Sequence, residues 1–183
     1  MARVCPHWLT YTFDNPLRRL VHDASEMAAR FVEPGMRVAD IGCGMGYFTV
    51  ALAARVGPSG WVQAVDLQPA QLAKVRQRAA RAGVISRVML VEATPDDLRL
   101  APPLDFILAF WMVHEVDDQA RFFAQVCTAL RPGGRVLVVE PKIHVPGPAF
   151  VRTLDIASSA GFTAEPASVR LSRAALLRLG RST

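Results

Sequence analysis

A chain of 183 residues, 51% hydrophobic and 20% charged, is long enough to close a core without disulfides or metals, and its composition excludes a disordered or fibrous protein. The net charge of +5 comes mainly from arginines dispersed along the chain, Lys74 and Lys142 being the only lysines, so it decides little between a solvated surface and a nucleic-acid footprint. No apolar run approaches the roughly 20 residues of a membrane span. The start MARVCPHWLTYTFDN has no apolar leader stretch, and three scattered cysteines make neither a disulfide framework nor a closed zinc site. The expectation is one cytoplasmic domain over 1–183, with an N-terminal helical segment at 1–33 and a core at 34–183.

In chain order, residues 16–32 read as one or two helical turns, a break near Asp23, then a helix through Met27, Phe31 and Val32. Five apolar runs of strand type follow, at 37–41, 61–66, 87–91, 105–110 and 135–140. Helical patterns fill the intervals at 48–56, 69–82 and 117–130, with a weaker piece at 95–100. In the second helix Lys74, Arg78 and Arg81 share a face opposite Leu72, Val75 and Ala79, which reads as a solvated side of an amphipathic helix. Strands without polar alternation, each followed by a helix, imply a parallel sheet covered on both faces. The chain closes with a helix at 148–160, an extended segment at 162–171 and a strand at 174–179, the last two read as an edge hairpin because Pro166 suits an edge.

The informative segment is Asp40-Ile41-Gly42-Cys43-Gly44-Met45-Gly46, which ends a predicted strand and opens a predicted helix. Glycines let a backbone turn sharply and approach a ligand closely. In open α/β sheets the ligand crevice lies beyond the carboxyl ends of the strands, where this loop falls. A dinucleotide fingerprint would need glycine at position 47, which is Tyr47, and a Walker loop would need Gly-Lys-Ser/Thr. A carboxylate ahead of the loop at Asp40 repels a pyrophosphate and suits an ammonium group.

The spacing D-x-G-x-G-x-G resembles motif I of the class I S-adenosylmethionine-dependent methyltransferases. Further features match it in order. They are Asp66 at the end of the second strand, Glu92-Ala-Thr-Pro-Asp-Asp-Leu after the third, Asp105-Phe-Ile-Leu-Ala-Phe-Trp as the fourth, and Leu130-Arg-Pro-Gly-Gly-Arg-Val-Leu-Val-Val-Glu entering the fifth. The resemblance spans about residues 16–180 and is to the small-molecule branch, the ubiquinone/menaquinone-biosynthesis and arsenite types. It implies a Rossmann-like seven-stranded sheet, mostly parallel, in the order 3-2-1-4-5-7-6 with one antiparallel strand and helices on both faces. It implies S-adenosylmethionine as cofactor, S-adenosylhomocysteine as product and no metal. The cofactor would be held by Asp40, Gly42, Cys43, Gly44, Gly46, Asp66, Leu67, Thr94 and Phe110. Asp66 falls where the family binds ribose hydroxyls, and Thr94 stands where the family often has Asp toward the adenine amino group.

Residues after the fourth and fifth strands face the methyl group in this family: Trp111, Met112, His114 and Glu115, then Glu140, Lys142 and His144. His114 is the candidate general base because an imidazole titrates near neutrality, with Glu115 beside it. Alternatively, His114 and Glu115 only lead into the helix that Asp117 caps. Lys142 and His144 read either as holding an anionic acceptor or as solvated loop. Trp111 reads as a pocket wall or as packing. His7, Trp8 and Tyr11 read as a lid over the substrate, or as packing on the sheet edge or on a second subunit in a homodimer.

The expected activity is methyl transfer to a small molecule. The competing class is a non-catalytic S-adenosylmethionine sensor or partner subunit. Metalloid methylation is disfavoured because Cys43 belongs to the loop and Cys127 to a helix face, which leaves Cys5 alone. Amino-methylation of DNA or RNA lacks the Asn/Asp-Pro-Pro-aromatic motif after the fourth strand, where the chain reads Ala109-Phe-Trp-Met-Val. A magnesium site lacks a carboxylate at the same place.

Overall fold

A computed structural model describes residues 22–180. His7, Trp8 and Tyr11, with Cys5, lie outside the described residues. The first helix, α1 (Ala24–Phe31), begins at Asp23, whose carboxylate accepts from the backbone N–H groups of Ser25 and Glu26 at 2.8 and 3.1 Å. That contact satisfies donors that a helix start leaves open. The strands are β1 (Arg37–Ile41), β2 (Trp61–Asp66), β3 (Val88–Glu92), β4 (Leu104–Phe110), β5 (Leu130–Pro141), β6 (Phe162–Ala167) and β7 (Ser172–Leu179). The remaining helices are α2 (Tyr47–Val56), α3 (Pro69–Arg81), α4 (Gln119–Ala129) and α5 (Gly147–Ser159).

The seven strands form one sheet in the order β3-β2-β1-β4-β5-β7-β6, and β7 runs antiparallel to both of its neighbours. This is the expected fold. Each central strand alternates its side chains between two cores. Val38, Phe106, Leu108, Phe110, Leu137 and Val139 pack with α1 and α2. Ala39, Ile41, Ile107, Ala109, Val136 and Val138 pack with α4 and α5. Because both faces are covered, β4 has no polar alternation and its interior is buried throughout. On α3 the buried set is Gln71, Leu72, Val75 and Ala79, opposite the basic face.

Three local expectations change. Residues 95–100 do not form a helix. Thr94 and Asp97 close a small antiparallel bridge, and Arg99 takes a φ of 51°, which no right-handed helix accommodates. The cap of α4 is Asp118 rather than Asp117; its carboxylate accepts from the N–H of Arg121 at 2.9 Å. Strand β5 starts at Leu130 instead of residue 135, because Leu130 already pairs with Leu104 across a bulge at the Pro-Gly-Gly corner. Among the described residues no helix is long and apolar enough to cross a membrane.

Candidate functional site

At the carboxyl end of the sheet, the loop after β1 is held by backbone contacts. The N–H groups of Gly42 and Cys43 both donate to the carbonyl of Val65, at 2.8 and 3.1 Å, which ties the loop to the end of β2. Gly42 has a φ of +68°, and an added Cβ would lie 2.8 Å from Cβ and Cγ of Met112. Only glycine fits there on both counts. Gly44, with a φ of +52°, is the opposite case: an added Cβ would meet nothing within 4 Å, so this part of the loop borders open space.

Asp66 fastens three loops at once. Its Oδ2 accepts from the N–H of Gly44 and its Oδ1 from the N–H of Gln68, both at 2.9 Å. Its carbonyl accepts from Ala93 after β3 at 3.0 Å. Burial pushes the carboxyl above the usual aspartate range, and the hydrogen bonds from Gln68 and Gly44 oppose that rise. Beside it Leu67 is an exposed apolar side chain. Asp40 sits beneath the loop, buried, with its Oδ2 accepting from the Thr49 hydroxyl at 2.6 Å. Cys43 is buried between these carboxylates. Burial first, then the charges of Asp40 and Asp66, drive its thiol well above the ordinary range, so it is a protonated wall residue and not a thiolate ligand.

Thr94 accepts the N–H of Asp97 at 3.1 Å through its hydroxyl. Phe110 points into the core on the α1–α2 side. Its ring lies 4.4 Å from that of Phe48, 5.3 Å from Trp111 and 5.1 Å from His22. Trp111 has a φ of 60°, unusual for a residue with a side chain. Its backbone N–H bonds to Val139 at 2.7 Å and its indole N–H to the Ser172 hydroxyl at 3.2 Å. The ring is thus anchored to β7 by this bond.

A second cluster forms where β4 and β5 end side by side. Register pairs Phe110 with Val139, so the short turn Val113–Glu115 lies over the end of β5. There Glu140, 1% exposed, directs both oxygens at His114. Oε1 accepts the backbone N–H at 3.1 Å, and Oε2 is 2.5 Å from Nδ1. That contact raises the imidazole above the ordinary histidine range, against the opposing effect of burial. Glu115 Oε1 is 4.0 Å from His114 Nε2, and the His144 ring is nearly parallel to that of His114 at 6.4 Å. His114 and His144 line a pocket of about 340 Å³, whose other walls include Asp117, Gln119, Arg152 and Thr153. Lys142 is exposed on the loop between β5 and α5.

The structure therefore assembles Asp40, Gly42, Cys43, Gly44, Gly46, Asp66, Leu67 and Thr94 at the β1–β3 end, and His114, Glu115, Glu140 and His144 at the β4–β5 end. Gln119, Arg152 and Thr153 are additions. Arg152 and Thr153 lie on a helix whose pattern signals packing alone. Among the described residues no group of three His, Cys, Asp or Glu side chains could hold a metal ion.

The donor end fits S-adenosylmethionine: glycine backbone borders open space, a carboxylate can accept from hydroxyls, and an exposed apolar side chain can lie against a flat ring. The family model described as a methyltransferase domain matches residues 38–134, more than half of the chain. A ubiquinone/menaquinone biosynthesis C-methyltransferase of Idiomarina loihiensis is 33% identical over 110 residues, 60% of this chain and 44% of that protein. The Pasteurella multocida protein of the same name is 31% identical, over 60% of this chain and 41% of its own length. The chain thus spans less than half the length of these relatives. Among solved structures, a S-adenosylmethionine-dependent methyltransferase of Aquifex aeolicus superposes with a TM-score of 0.82, covering 94% of this chain and 99% of that one at 20% identity. At that identity the likeness concerns the fold. S-adenosylmethionine is the cofactor to which family and residues jointly point.

Proposed function

The chain belongs to the methyltransferase domain family, and from that premise we propose that it transfers the methyl group of S-adenosylmethionine to a small-molecule acceptor. The observation that carries the reading is the three-loop junction at Asp66, with Gly44 bordering open space beside it. When bound, the cofactor supplies an electrophilic methyl group on a sulfonium. The chain's own residues bind it, align the acceptor and exclude water.

In this reading Asp66 accepts from the ribose hydroxyls, Leu67 lies against the adenine ring and Thr94 reaches its edge. Gly42, Cys43, Gly44 and Gly46 shape the cradle for the amino-acid portion. Asp40, fixed by Thr49, contributes negative potential from beneath it. Phe110 acts from below, as part of the aromatic floor with Phe48. The acceptor occupies the β4–β5 end, with His114 as the base and His144 and Lys142 near the entrance. The C-methyltransferase relatives act in quinone biosynthesis by their name, which supports a small organic acceptor here too. The segment where β4 ends, Phe110-Trp111-Met112-Val113, lacks the Asn/Asp-Pro-Pro-aromatic motif that would hold a flipped base.

The test uses the full chain with a metabolite extract. Calorimetry should detect S-adenosylhomocysteine binding, and S-adenosylhomocysteine should accumulate from S-adenosylmethionine. Binding without accumulation across broad extracts would replace the enzyme with a cofactor sensor.

A further inference from the structure

Resting on that reading, we infer that Glu140 is a positioning residue that sets His114 to take the proton of an ionisable hydroxyl, a phenol or an enol, on an acceptor seated in the pocket between the segment 114–119 and α5. The geometry begins with the acid. Glu140 is almost wholly buried, and both of its oxygens are aimed at His114. A carboxylate can only accept, so Nδ1 carries the proton and Nε2 keeps its lone pair. The backbone contact from Oε1 fixes where the ring stands, and the contact from Oε2 fixes which nitrogen is basic. The ring is 28% exposed and forms part of the pocket wall, so the nitrogen turned away from Glu140 is the one left for a ligand.

The surroundings choose the class of proton. Glu140 from β5 and Glu115 beside Nε2 favour the imidazolium, which makes His114 a stronger base than an ordinary histidine. Arg152 supplies positive charge in the same pocket and Asp117 negative charge, with the His144 imidazole beside them. A phenol ionises near pH ~10, close enough to a strengthened imidazole for useful transfer. An aliphatic alcohol is far weaker as an acid, whereas a thiol near ~8.5 needs less help. An amine attacks with its own lone pair and gains little from a base acting first.

The step balances. The acceptor O–H bond breaks, its proton goes to Nε2, and its electron pair stays on oxygen, shared by conjugation with a neighbouring carbon. The new bond to the methyl carbon forms from that oxygen or that carbon, and the pair of the broken carbon–sulfur bond remains on sulfur. His114 then returns its proton to water through the pocket mouth. The same base thus serves O- and C-methylation, with the choice left to how the acceptor lies.

The decisive measurement needs no acceptor. Nitrogen-15 NMR of the full chain with S-adenosylhomocysteine should show His114 neutral with the proton on Nδ1, titrating above ordinary histidine. In Glu140→Gln the titration should move to lower pH and the tautomer preference should be lost. A proton on Nε2 in the native chain, or an unmoved titration in the variant, overturns the assignment. Glu140→Asp, which keeps the charge but retracts it, should give an intermediate shift and serves if the Gln variant does not fold. For the acceptor class, S-adenosylhomocysteine release is measured with 4-nitrophenol, catechol and acetylacetone against aniline and thiophenol. Release with a hydroxyl-bearing or enolic probe supports the inference. With that probe Glu140→Gln should lower kcat roughly 100-fold, leave S-adenosylhomocysteine affinity unchanged and move the acid limb of the rate to lower pH. Release with only aniline or thiophenol, or with no probe, overturns the acceptor class while methyl transfer by the extract assay still stands. Failure to bind S-adenosylhomocysteine at all would instead remove the methyltransferase reading.

Discussion

The two ends of the crevice are built from different materials. Toward β1–β3, the construction rests on backbone: N–H groups of Gly42, Cys43 and Gly44 are held by Val65 and Asp66, with glycine where a side chain would intrude. Toward β4–β5, it rests on side chains: His114 on Glu140, His144 beside them, and Arg152 and Thr153 from α5. A backbone cradle serves one invariant cofactor and tolerates little change. A side-chain pocket can be re-lined without disturbing the fold. The cofactor end is therefore where damage to binding is expected, and the acceptor end is where damage to rate is expected.

The largest effect tests that division directly. His114→Ala should lower kcat by roughly 10²- to 10⁴-fold, the range for removing a general base, with S-adenosylhomocysteine affinity unchanged by calorimetry. Equal losses in rate and affinity would erase the distinction between the ends. Next, Gly42→Ala should destabilise the fold by about 2–3 kcal/mol in urea unfolding, since its φ is +68° and its Cβ would crowd Met112. Gly44→Ala shares the positive φ but not the crowding, so it should lose less; a loss equal to that at Gly42 would deny the role of Met112.

Asp66→Ala should weaken S-adenosylhomocysteine binding by roughly 1.5–3 kcal/mol, the scale of a hydrogen bond to a charged group. If Asp66 accepts from the ribose hydroxyls as proposed, it does so ionised, and native binding should weaken as pH falls through the raised Asp66 titration, by up to about tenfold per unit. That decline starts above the ordinary aspartate range, and it should vanish in Asp66→Ala. A decline confined to ordinary aspartate pH would assign it to another group. The smallest effect concerns neither end: Asp118→Ala should destabilise the chain by about 1 kcal/mol through loss of the α4 cap, with rate and binding intact.

The same division explains what was legible in the sequence. The cofactor loop is contiguous, its glycine spacing is a local requirement, and strand runs bounded by Pro-Gly corners announce the sheet. The acceptor end depends on register. His114 and Glu140 are 26 residues apart in sequence and meet only because β4 and β5 are neighbours with Phe110 against Val139. Nothing in either segment announces the pairing, so Glu140 reads as an acceptor contact when it is seen alone. Likewise Arg152 and Thr153 lie on α5, where helical periodicity reports which side packs and not what the rim faces. The absent helix at 95–100 failed for the converse reason. Its local pattern was outvoted by the Thr94–Asp97 bridge and the hydrogen bonds that close it.

The contact between Gly42 and Met112 joins the two ends. Met112 follows β4 and lies where any side chain at position 42 would have to go, so the cofactor loop and the acceptor segment share a wall. A larger or differently branched side chain at position 112 would therefore press on the turn at Gly42 although the two positions are far apart in sequence.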